Sequence, residues 1–283
     1  MFSYHTKLIG VYPLHIHNFV TIDFTNLRIK LHLYQEKPEQ LIPINYQYGI
    51  SSFIYNTIAT SNNSYSKWLH DSGFSSGNKK FKFFTFSRLD IRDIRVIGNK
   101  LKIFSDTLQL IISMYGIKSF DSFVTGMFEN QKLRLFDNAT EASFIINTIE
   151  TEAEPEYSEK MIFRTLSPIV LSKKVNDRTV PQYLHPDAED YFEYFKRNLE
   201  EKYIALCLHN NEKVIERKIQ CLKIISTPKS RLIKIKEGKI DETSIRGFDY
   251  EFELQADKEF MKIGYETGFG INNSLGFGCV GVK

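Results

Sequence analysis

The chain has 283 residues, 42% of them hydrophobic, which is enough for ordinary globular cores and about two domains. Its 37 basic and 34 acidic residues nearly balance, which excludes a uniformly basic protein and makes any nucleic-acid surface local. The sequence has no apolar run of transmembrane length and no signal-peptide core, and its three cysteines are scattered without metal-ligand spacing. We therefore expect a cytoplasmic protein with no membrane partner.

The first predicted elements follow an N-terminal segment of uncertain status. Residues 1–26 could add a strand to the first domain, or they could precede the true start of the protein, and the sequence leaves both open. Alternating apolar and polar residues over 27–33 predict a half-buried strand. Apolar residues at helical spacing then predict a helix over 46–58, with Asn45 as its N-cap.

The rest of the first half is predicted as short elements separated by glycines. Ser64 is expected to begin a second helix over 65–70, and Gly73 to end it. Aromatic and β-branched residues over 81–87 predict a strand, and a turn at 98–99 leads into another strand. Residues 105–115 are predicted as a capped helix because their apolar residues fall at helical spacing, and further strands complete this half.

The second half repeats the same order of elements. The acidic, proline-containing segment 151–156 is a plausible domain joint, and a strand is predicted over 161–171. Pro186 at the first helical position is expected to open a long helix to about residue 207, followed by strands and a short helix beginning at Asp257. Two β-α-β-β-α-β units are typical of the ferredoxin-like pattern. The predicted fold class is therefore α+β, with tandem ferredoxin-like (RRM-like) domains over 27–155 and 156–283.

The C-terminal twenty residues contain two Gly-Phe-Gly triplets, at 268–270 and 276–278, on either side of a polar insert. Glycine permits positive φ and close backbone approach, so the loop could expose several N–H groups to a phosphate. It could equally be a glycine-rich turn that lets a last strand close a sheet. The spacing fits neither the P-loop nor the dinucleotide-binding fingerprint, so these nucleotide-binding classes are excluded.

The segment Gly-Tyr-Glu-Thr-Gly-Phe-Gly-Ile-Asn-Asn-Ser-Leu-Gly-Phe-Gly resembles the C-terminal loop of the CRISPR-associated endoribonucleases of the Cas6 family, within the RAMP superfamily. The resemblance extends over about residues 27–283. It implies tandem ferredoxin-like domains and a metal-independent endoribonuclease with no cofactor, whose partner is CRISPR repeat RNA (pre-crRNA). It leaves open an association with other CRISPR effector subunits and a homodimer. The alternative is a non-catalytic RNA-binding RAMP subunit of an effector complex.

Metal-free cleavage by the 2′-OH of RNA leaves a 2′,3′-cyclic phosphate and a 5′-OH, and it needs a base, an acid and a cation. His70 and Tyr55 match the positions where this family carries a histidine and a tyrosine. A histidine at a helix end is otherwise a solvated residue, and a rim tyrosine otherwise keeps its ring on the core. Lys82 precedes a family-like strand and is the predicted phosphorane stabiliser, although Lys79 and Lys80 stand beside it. Which of these lysines faces the scissile phosphate is open.

The basic segment 229–236 alternates positive and apolar residues, as a strand with one cationic face would. Such a face could track phosphates, or it could be a solvated edge strand protected by lysines. No metal ligands are predicted. The residues predicted to bind RNA are Lys79, Lys80, Arg231, Lys234, Lys236, Gly268, Gly270, Asn273, Ser274, Gly276 and Gly278.

Overall fold

The computed structural model describes residues 28–174 and 181–283, so the predictions for residues 1–26 lie outside the described part of the chain. The elements of the first half are β1 (Arg28–Gln35), β2 (Leu41–Pro43), α1 (Gln47–Asp71), β3 (Phe74–Ser76), β4 (Lys79–Phe81), β5 (Phe84–Phe86), β6 (Asp90–Ile91), β7 (Ile94–Ile97), β8 (Lys100–Ile103), β9 (Thr107–Met114), α2 (Ile117–Glu129), β10 (Lys132–Phe136) and β11 (Glu141–Thr151).

The elements of the second half are β12 (Lys160–Thr165), β13 (Ser172–Lys173), β14 (Gln182–Tyr183), α3 (Tyr191–Asn210), β15 (Ile219–Ile224), β16 (Lys229–Ile235), β17 (Thr243–Asp249), β18 (Glu251–Ala256), α4 (Lys258–Thr267) and β19 (Val280–Val282). A short 3₁₀ turn over residues 273–275 lies between α4 and β19. Within the described residues, no helix is long and apolar enough to cross a membrane.

Both halves have the strand order of a ferredoxin-like unit. The first sheet runs β10-β11-β1-β9-β5, and the second runs β15-β18-β12-β19. In the first sheet β1 lies between β9 and β11, and β5 lies outside β9. In the second sheet β12 lies between β18 and β19, and β15 lies outside β18. This is the ferredoxin-like arrangement, in which the first strand of the unit is central. The predicted α+β fold class is confirmed. The domain boundaries of 27–155 and 156–283 stay a prediction, although the first sheet ends at Thr151 and the second begins at Lys160.

The predicted helix over 105–115 is wrong, because this segment is β9, a central strand of the first sheet. Leu108, Leu110, Ile112 and Met114 are all buried and alternate along the strand. The apolar residues of this segment match both a period of two and a helical period, and pairing with β1 and β5 decides for the strand. The helix of this region is α2, which begins at Ile117 and was not predicted.

The predicted helices over 46–58 and 65–70 are two parts of α1, separated by a kink at Asn62, where φ is −149° and ψ is 81°. The Asn62 side chain accepts a hydrogen bond from the Tyr65 N–H at 3.0 Å, so Asn62 rather than Ser64 caps the second part. Asn45 is not the cap of the first part. Its side chain instead accepts from the Lys234 N–H at 3.1 Å and donates to Glu237 at 2.8 Å.

The long helix of the second half, α3, begins at Tyr191, after Asp190 at the N-cap position, rather than at Pro186. Its buried face and the second sheet enclose a cluster of aromatic rings, in which Phe195 and Phe269 are stacked with centroids 5.4 Å apart. The two halves contact each other through the first sheet, since Thr85 of β5 donates a hydrogen bond to the Phe277 carbonyl at 2.9 Å. The glycine-rich loop is thereby placed against the first sheet, beside α1.

Candidate active site

All three predicted catalytic residues line one cleft between the two halves of the chain. Tyr55 and His70 come from α1, and Lys82 comes from the connection between β4 and β5. The rest of the lining comes from Ser172, Pro181 and Tyr183, from the β16–β17 hairpin, and from Ile271, Asn272, Ser274 and Leu275 of the glycine-rich loop. The cleft therefore brings together residues from five separate parts of the sequence.

The kink in α1 brings Tyr55 and His70 together. In a straight helix, fifteen residues would separate them by about 22 Å along the axis. In the structure their ring centroids are 5.2 Å apart in an edge-to-face arrangement. The Ser66 hydroxyl donates to the Tyr55 carbonyl at 2.9 Å and ties the two parts of α1 together across the kink.

Burial sets the protonation state of Tyr55. It raises the pKa of the Tyr55 phenol to about 12, and an interaction with the Ser274 side chain offsets part of the rise. The phenol is therefore neutral at physiological pH. In this state it can donate a proton or a hydrogen bond, and it cannot act as a base.

His70 is exposed over 68% of its side chain, and its Nδ1 lies 2.8 Å from a carboxylate oxygen of Asp71. This hydrogen bond is the main cause that lowers the pKa of the Asp71 carboxyl below its ordinary value. When Nδ1 donates to Asp71, Nε2 carries the free lone pair of a neutral imidazole and can accept a proton. Asp71 is not among the residues predicted from sequence, and only its position next to His70 could have indicated it.

Of the three lysines considered at this position, Lys82 is the one that lines the cleft. Its ammonium donates a hydrogen bond to the His70 carbonyl. Burial lowers the pKa of Lys82 and the nearby Lys80 adds to this effect, while Asp71 opposes it. Lys79 instead forms an ion pair with Glu201 at 2.6 Å, and Lys80 donates to the Asp71 carbonyl at 3.0 Å.

The glycines of the C-terminal loop are pressed against protein atoms. Gly276 has φ of 83° and a Cβ there would overlap the Phe86 ring, while a Cβ at Gly278 would overlap the Phe269 carbonyl oxygen. The Gly276 N–H donates to the Asn273 carbonyl at 3.0 Å, and the Gly278 N–H donates to the Pro168 carbonyl at 2.9 Å. The expectation that these two N–H groups are exposed to a phosphate is therefore wrong. These contacts favour the alternative, a turn that closes the fold.

The other two glycines follow the same pattern. At Gly268 a Cβ would meet Asn273 and Thr85, and at Gly270 it would overlap the Val170 carbonyl oxygen. Both glycines are buried. RNA contact at any of the four glycines stays a prediction, and the packing of the loop explains each glycine without it.

Asn273, predicted to bind RNA, is instead the centre of the loop's own hydrogen bonds. Its amide nitrogen donates to the Phe269 carbonyl at 3.1 Å and to the Phe277 carbonyl at 3.0 Å. Its amide oxygen accepts from Lys202 at 2.8 Å. These bonds leave the Asn273 side chain engaged within the protein, whereas the neighbouring Ser274 lines the cleft.

Lys202 is a functional candidate that the sequence reasoning missed. Its side chain is fully buried on α3, and its ammonium donates to the Gly268 carbonyl and to Asn273. Burial lowers the pKa of Lys202 to about 7. The signal in the sequence is a lysine that falls at helical spacing between Leu199 and Leu206, on the apolar face of the helix.

The cationic face predicted for the β16–β17 hairpin is largely neutralised by acidic neighbours. Arg231 pairs with Asp249 at 2.8 Å, and Lys234 pairs with Glu242 at 3.2 Å. Lys236 pairs with Asp241 and, of the three predicted cations, is the one that lines the cleft. Within the described residues, no group of three or more His, Cys, Asp or Glu residues could hold a metal ion.

Comparison with known proteins matches both halves of the chain to the same protein family. The family model for "CRISPR-associated protein Cas6, N-terminal" matches residues 41–150, and the model for "CRISPR associated protein Cas6, C-terminal" matches residues 152–282. The CRISPR-associated endoribonuclease Cas6 1 of Methanocaldococcus jannaschii is 32% identical over 257 residues, which cover 90% of this chain and 92% of that protein.

Two solved structures have the same fold. A Cas6-related protein from Pyrococcus furiosus superposes with a TM-score of 0.75 at 26% identity, over 91% of this chain and 98% of that one. A structure described as CRISPR-associated protein Cas6 superposes with a TM-score of 0.68 at 30% identity, over 90% of this chain and 98% of that one. The similarity therefore extends over nearly the whole described chain.

Proposed function

The chain belongs to the Cas6 family of CRISPR-associated endoribonucleases, and on that premise we propose that it cuts CRISPR repeat RNA into guide RNAs by metal-independent transesterification. The observation that carries the proposal is the meeting of Tyr55, His70 and Lys82 in one cleft. These residue types supply a proton donor, a proton acceptor and a cation, the three groups that the reaction requires.

In the proposed mechanism His70 is the general base. With its Nδ1–H bonded to Asp71, Nε2 takes the proton from the 2′-OH of the nucleotide before the scissile phosphate. The freed 2′-oxygen attacks the phosphorus, and the bond from phosphorus to the 5′-oxygen breaks. The products are a 2′,3′-cyclic phosphate on one fragment and a 5′-OH on the other.

Tyr55 and Lys82 act on the charge that develops in this step. The Tyr55 phenol keeps its proton at neutral pH and can give it to the departing 5′-oxygen. Lys82, at the edge of the same cleft, stabilises the phosphorane oxygens electrostatically. Asp71 acts as a positioning residue, since its carboxylate holds the imidazole in one orientation.

The test is a repeat RNA that carries 2′-deoxyribose at the scissile nucleotide, incubated with the protein in EDTA. We expect a tight but uncut complex, because the nucleophile is missing. The matched control has the deoxy substitution one nucleotide away and should be cut at the normal rate. Cleavage of the first RNA, or a requirement for added magnesium, would contradict the mechanism.

The same assay distinguishes the alternative of a non-catalytic RNA-binding subunit. Such a protein would bind unmodified repeat RNA and leave it intact under all conditions. For an enzyme, mass spectrometry of the upstream fragment should find an end that is lighter by one water than a linear phosphate.

A further inference from the structure

A second groove opens directly from the catalytic cleft. It is bounded by the first part of α1, by β10 and the turn after it, and by residues 236–239 at the tip of the β16–β17 hairpin. The two depressions share Tyr48, Ser52, Asn56 and Lys236 along their common edge. A chain that leaves the catalytic cleft on this side must therefore enter the groove.

The groove and the cleft differ in charge. In the cleft, Lys82 and Lys236 face Asp241 and Glu242, so the lining is balanced apart from His70. The lining of the groove contains five cationic and two acidic side chains. Two of the cations, Lys132 and Lys236, pair with acidic residues outside this lining, Glu36 and Asp241. The remaining excess of positive charge gives the groove a local attraction for a polyanion.

The two acidic side chains of the groove are already engaged within the protein. Asp137 pairs with Lys100 and accepts hydrogen bonds from two N–H groups of its own turn, each at 2.9 Å. Glu237 accepts from the Asn45 amide at 2.8 Å. Arg134 and Lys239, by contrast, form no ion pair with any residue in the described ranges, so their charges remain available to a ligand.

Aromatic side chains stand beside these available cations. Phe136, at the end of β10, is 70% exposed, although a phenylalanine at the edge of a sheet would ordinarily be covered. The Tyr48 ring lies on the shared edge, with the Lys239 ammonium 5.3 Å from its centroid. Exposed rings next to cations are what single-stranded RNA requires, because its unpaired bases can stack on the rings while the cations hold its phosphates.

We propose that this groove binds the single-stranded RNA that flanks the scissile phosphate. The phosphates of this segment contact Arg134 and Lys239, and one base stacks on Phe136. The inference rests on the proposed function, since it takes the RNA cut in the cleft to be the RNA that continues into the groove. A duplex is not the occupant, because its bases stack on one another and do not reach an exposed ring.

The test compares Arg134→Gln and Phe136→Ala with two matched controls elsewhere on the surface. The controls are Lys223→Gln on β15 and Phe128→Ala on α2, both exposed and outside the groove. The probe is a repeat RNA made uncleavable by 2′-deoxyribose at the scissile nucleotide, and the measurement is Kd by fluorescence anisotropy at several salt concentrations.

We expect each groove variant to raise Kd about tenfold, while the controls bind as the unaltered protein does. Arg134→Gln should also reduce the slope of log Kd against log salt by about 0.7, the effect of one lost phosphate contact on a single strand. When the repeat RNA is trimmed to the scissile phosphate on the side that enters the groove, Arg134→Gln and the unaltered protein should bind it with the same Kd.

Tight binding of the full repeat by both groove variants would overturn the inference. A binding defect that persists with both trimmed RNAs, the one lacking the upstream flank and the one lacking the downstream flank, would also overturn it. If the unaltered protein cuts repeat RNA and the groove variants bind normally, the inference fails alone. If the groove variants lose affinity but the unaltered protein never cuts, the catalytic proposal fails, and the groove stands as a binding site for single-stranded RNA without a scissile phosphate beside it. A protein without affinity for RNA would overturn both.

Discussion

His70 at the end of α1 and the glycine-rich loop both border the same cleft, yet they are held in different ways. The His70 side chain is 68% exposed, and its one side-chain hydrogen bond among the described residues is to its neighbour Asp71. Gly276 and Gly278 are buried, and their N–H groups donate to the Asn273 carbonyl within the loop and to the Pro168 carbonyl. A proton-transfer group must remain accessible to RNA, whereas a loop that shapes the site must be rigid.

This difference predicts that His70 and the loop respond differently to substitution. Replacement of the His70 side chain should slow the reaction and leave the fold intact, because this side chain is largely exposed. Changes in the loop should destabilise the protein and leave the folded fraction able to bind RNA. Rate, affinity and stability measured on the same variants test this difference.

The largest expected effect is on the rate of His70→Ala. Loss of a general base should reduce single-turnover cleavage on the order of 10²–10⁴-fold, while the melting temperature and the RNA affinity barely change. Lys67→Ala is the matched control, since Lys67 is an exposed residue of the same helix outside the cleft. An unaltered rate in His70→Ala would remove His70 from the mechanism.

The next effect is on the stability of Gly278→Ala. A Cβ there overlaps the Phe269 carbonyl oxygen at a φ of 77°, so unfolding should become easier by about 3 kcal/mol. Gly98→Ala is the control, because Gly98 also has positive φ, 59°, but its Cβ would point into open space. It should lose only about 1 kcal/mol. A Gly278→Ala protein with normal stability and weakened RNA binding would restore the loop as an RNA contact.

The smallest expected effect is a pH dependence of the unfolding free energy, caused by Lys202 beneath the loop. The native pKa is about 7, well below the ordinary value near 10.4 of an unfolded lysine. Between these values the unfolded chain binds a proton that the native state lacks, so this group makes stability rise with pH above about 7.

Lys202→Met lacks this contribution. The difference in unfolding free energy between the unaltered protein and Lys202→Met should therefore grow with pH, by at most about 1.4 kcal/mol per unit. Urea denaturation at pH 7 and pH 9 measures it, and taking the difference cancels groups that titrate in both proteins. Parallel stability curves would mean that Lys202 keeps its charge in the native state.

Much of the fold could be predicted from local patterns. Alternation in β1, the glycine turn between β7 and β8, and the helix that follows Asp257 all appear where the sequence placed them. These elements depend on periodicity and turn chemistry within a few residues. The prediction failed at β9, where the pattern fitted two periods and only pairing with strands far along the chain decides between them.

The candidate site was also only partly predictable from the sequence. Residue types and a family resemblance were enough to predict Tyr55, His70 and Lys82. The sequence predicted a break between two helices, but not that the two parts form one helix kinked at Asn62, which brings Tyr55 and His70 together. Asp71 and Lys202 were missed since their importance depends on what lies next to them in space.

Sequence patterns were enough for the α+β fold class, the residue types available for catalysis and the four loop glycines, since each depends on short-range periodicity or on a residue's own chemistry. The tertiary structure alone decided that the glycines face Phe86, Val170 and Phe269 rather than solvent. It also decided that Arg231, Lys234 and Lys236 of the β16–β17 hairpin are paired with acidic residues, whereas Arg134 and Lys239 form no ion pair with the described residues. Burial and ion pairing depend on neighbours that are distant in sequence, and a linear pattern of charges or glycines does not contain them.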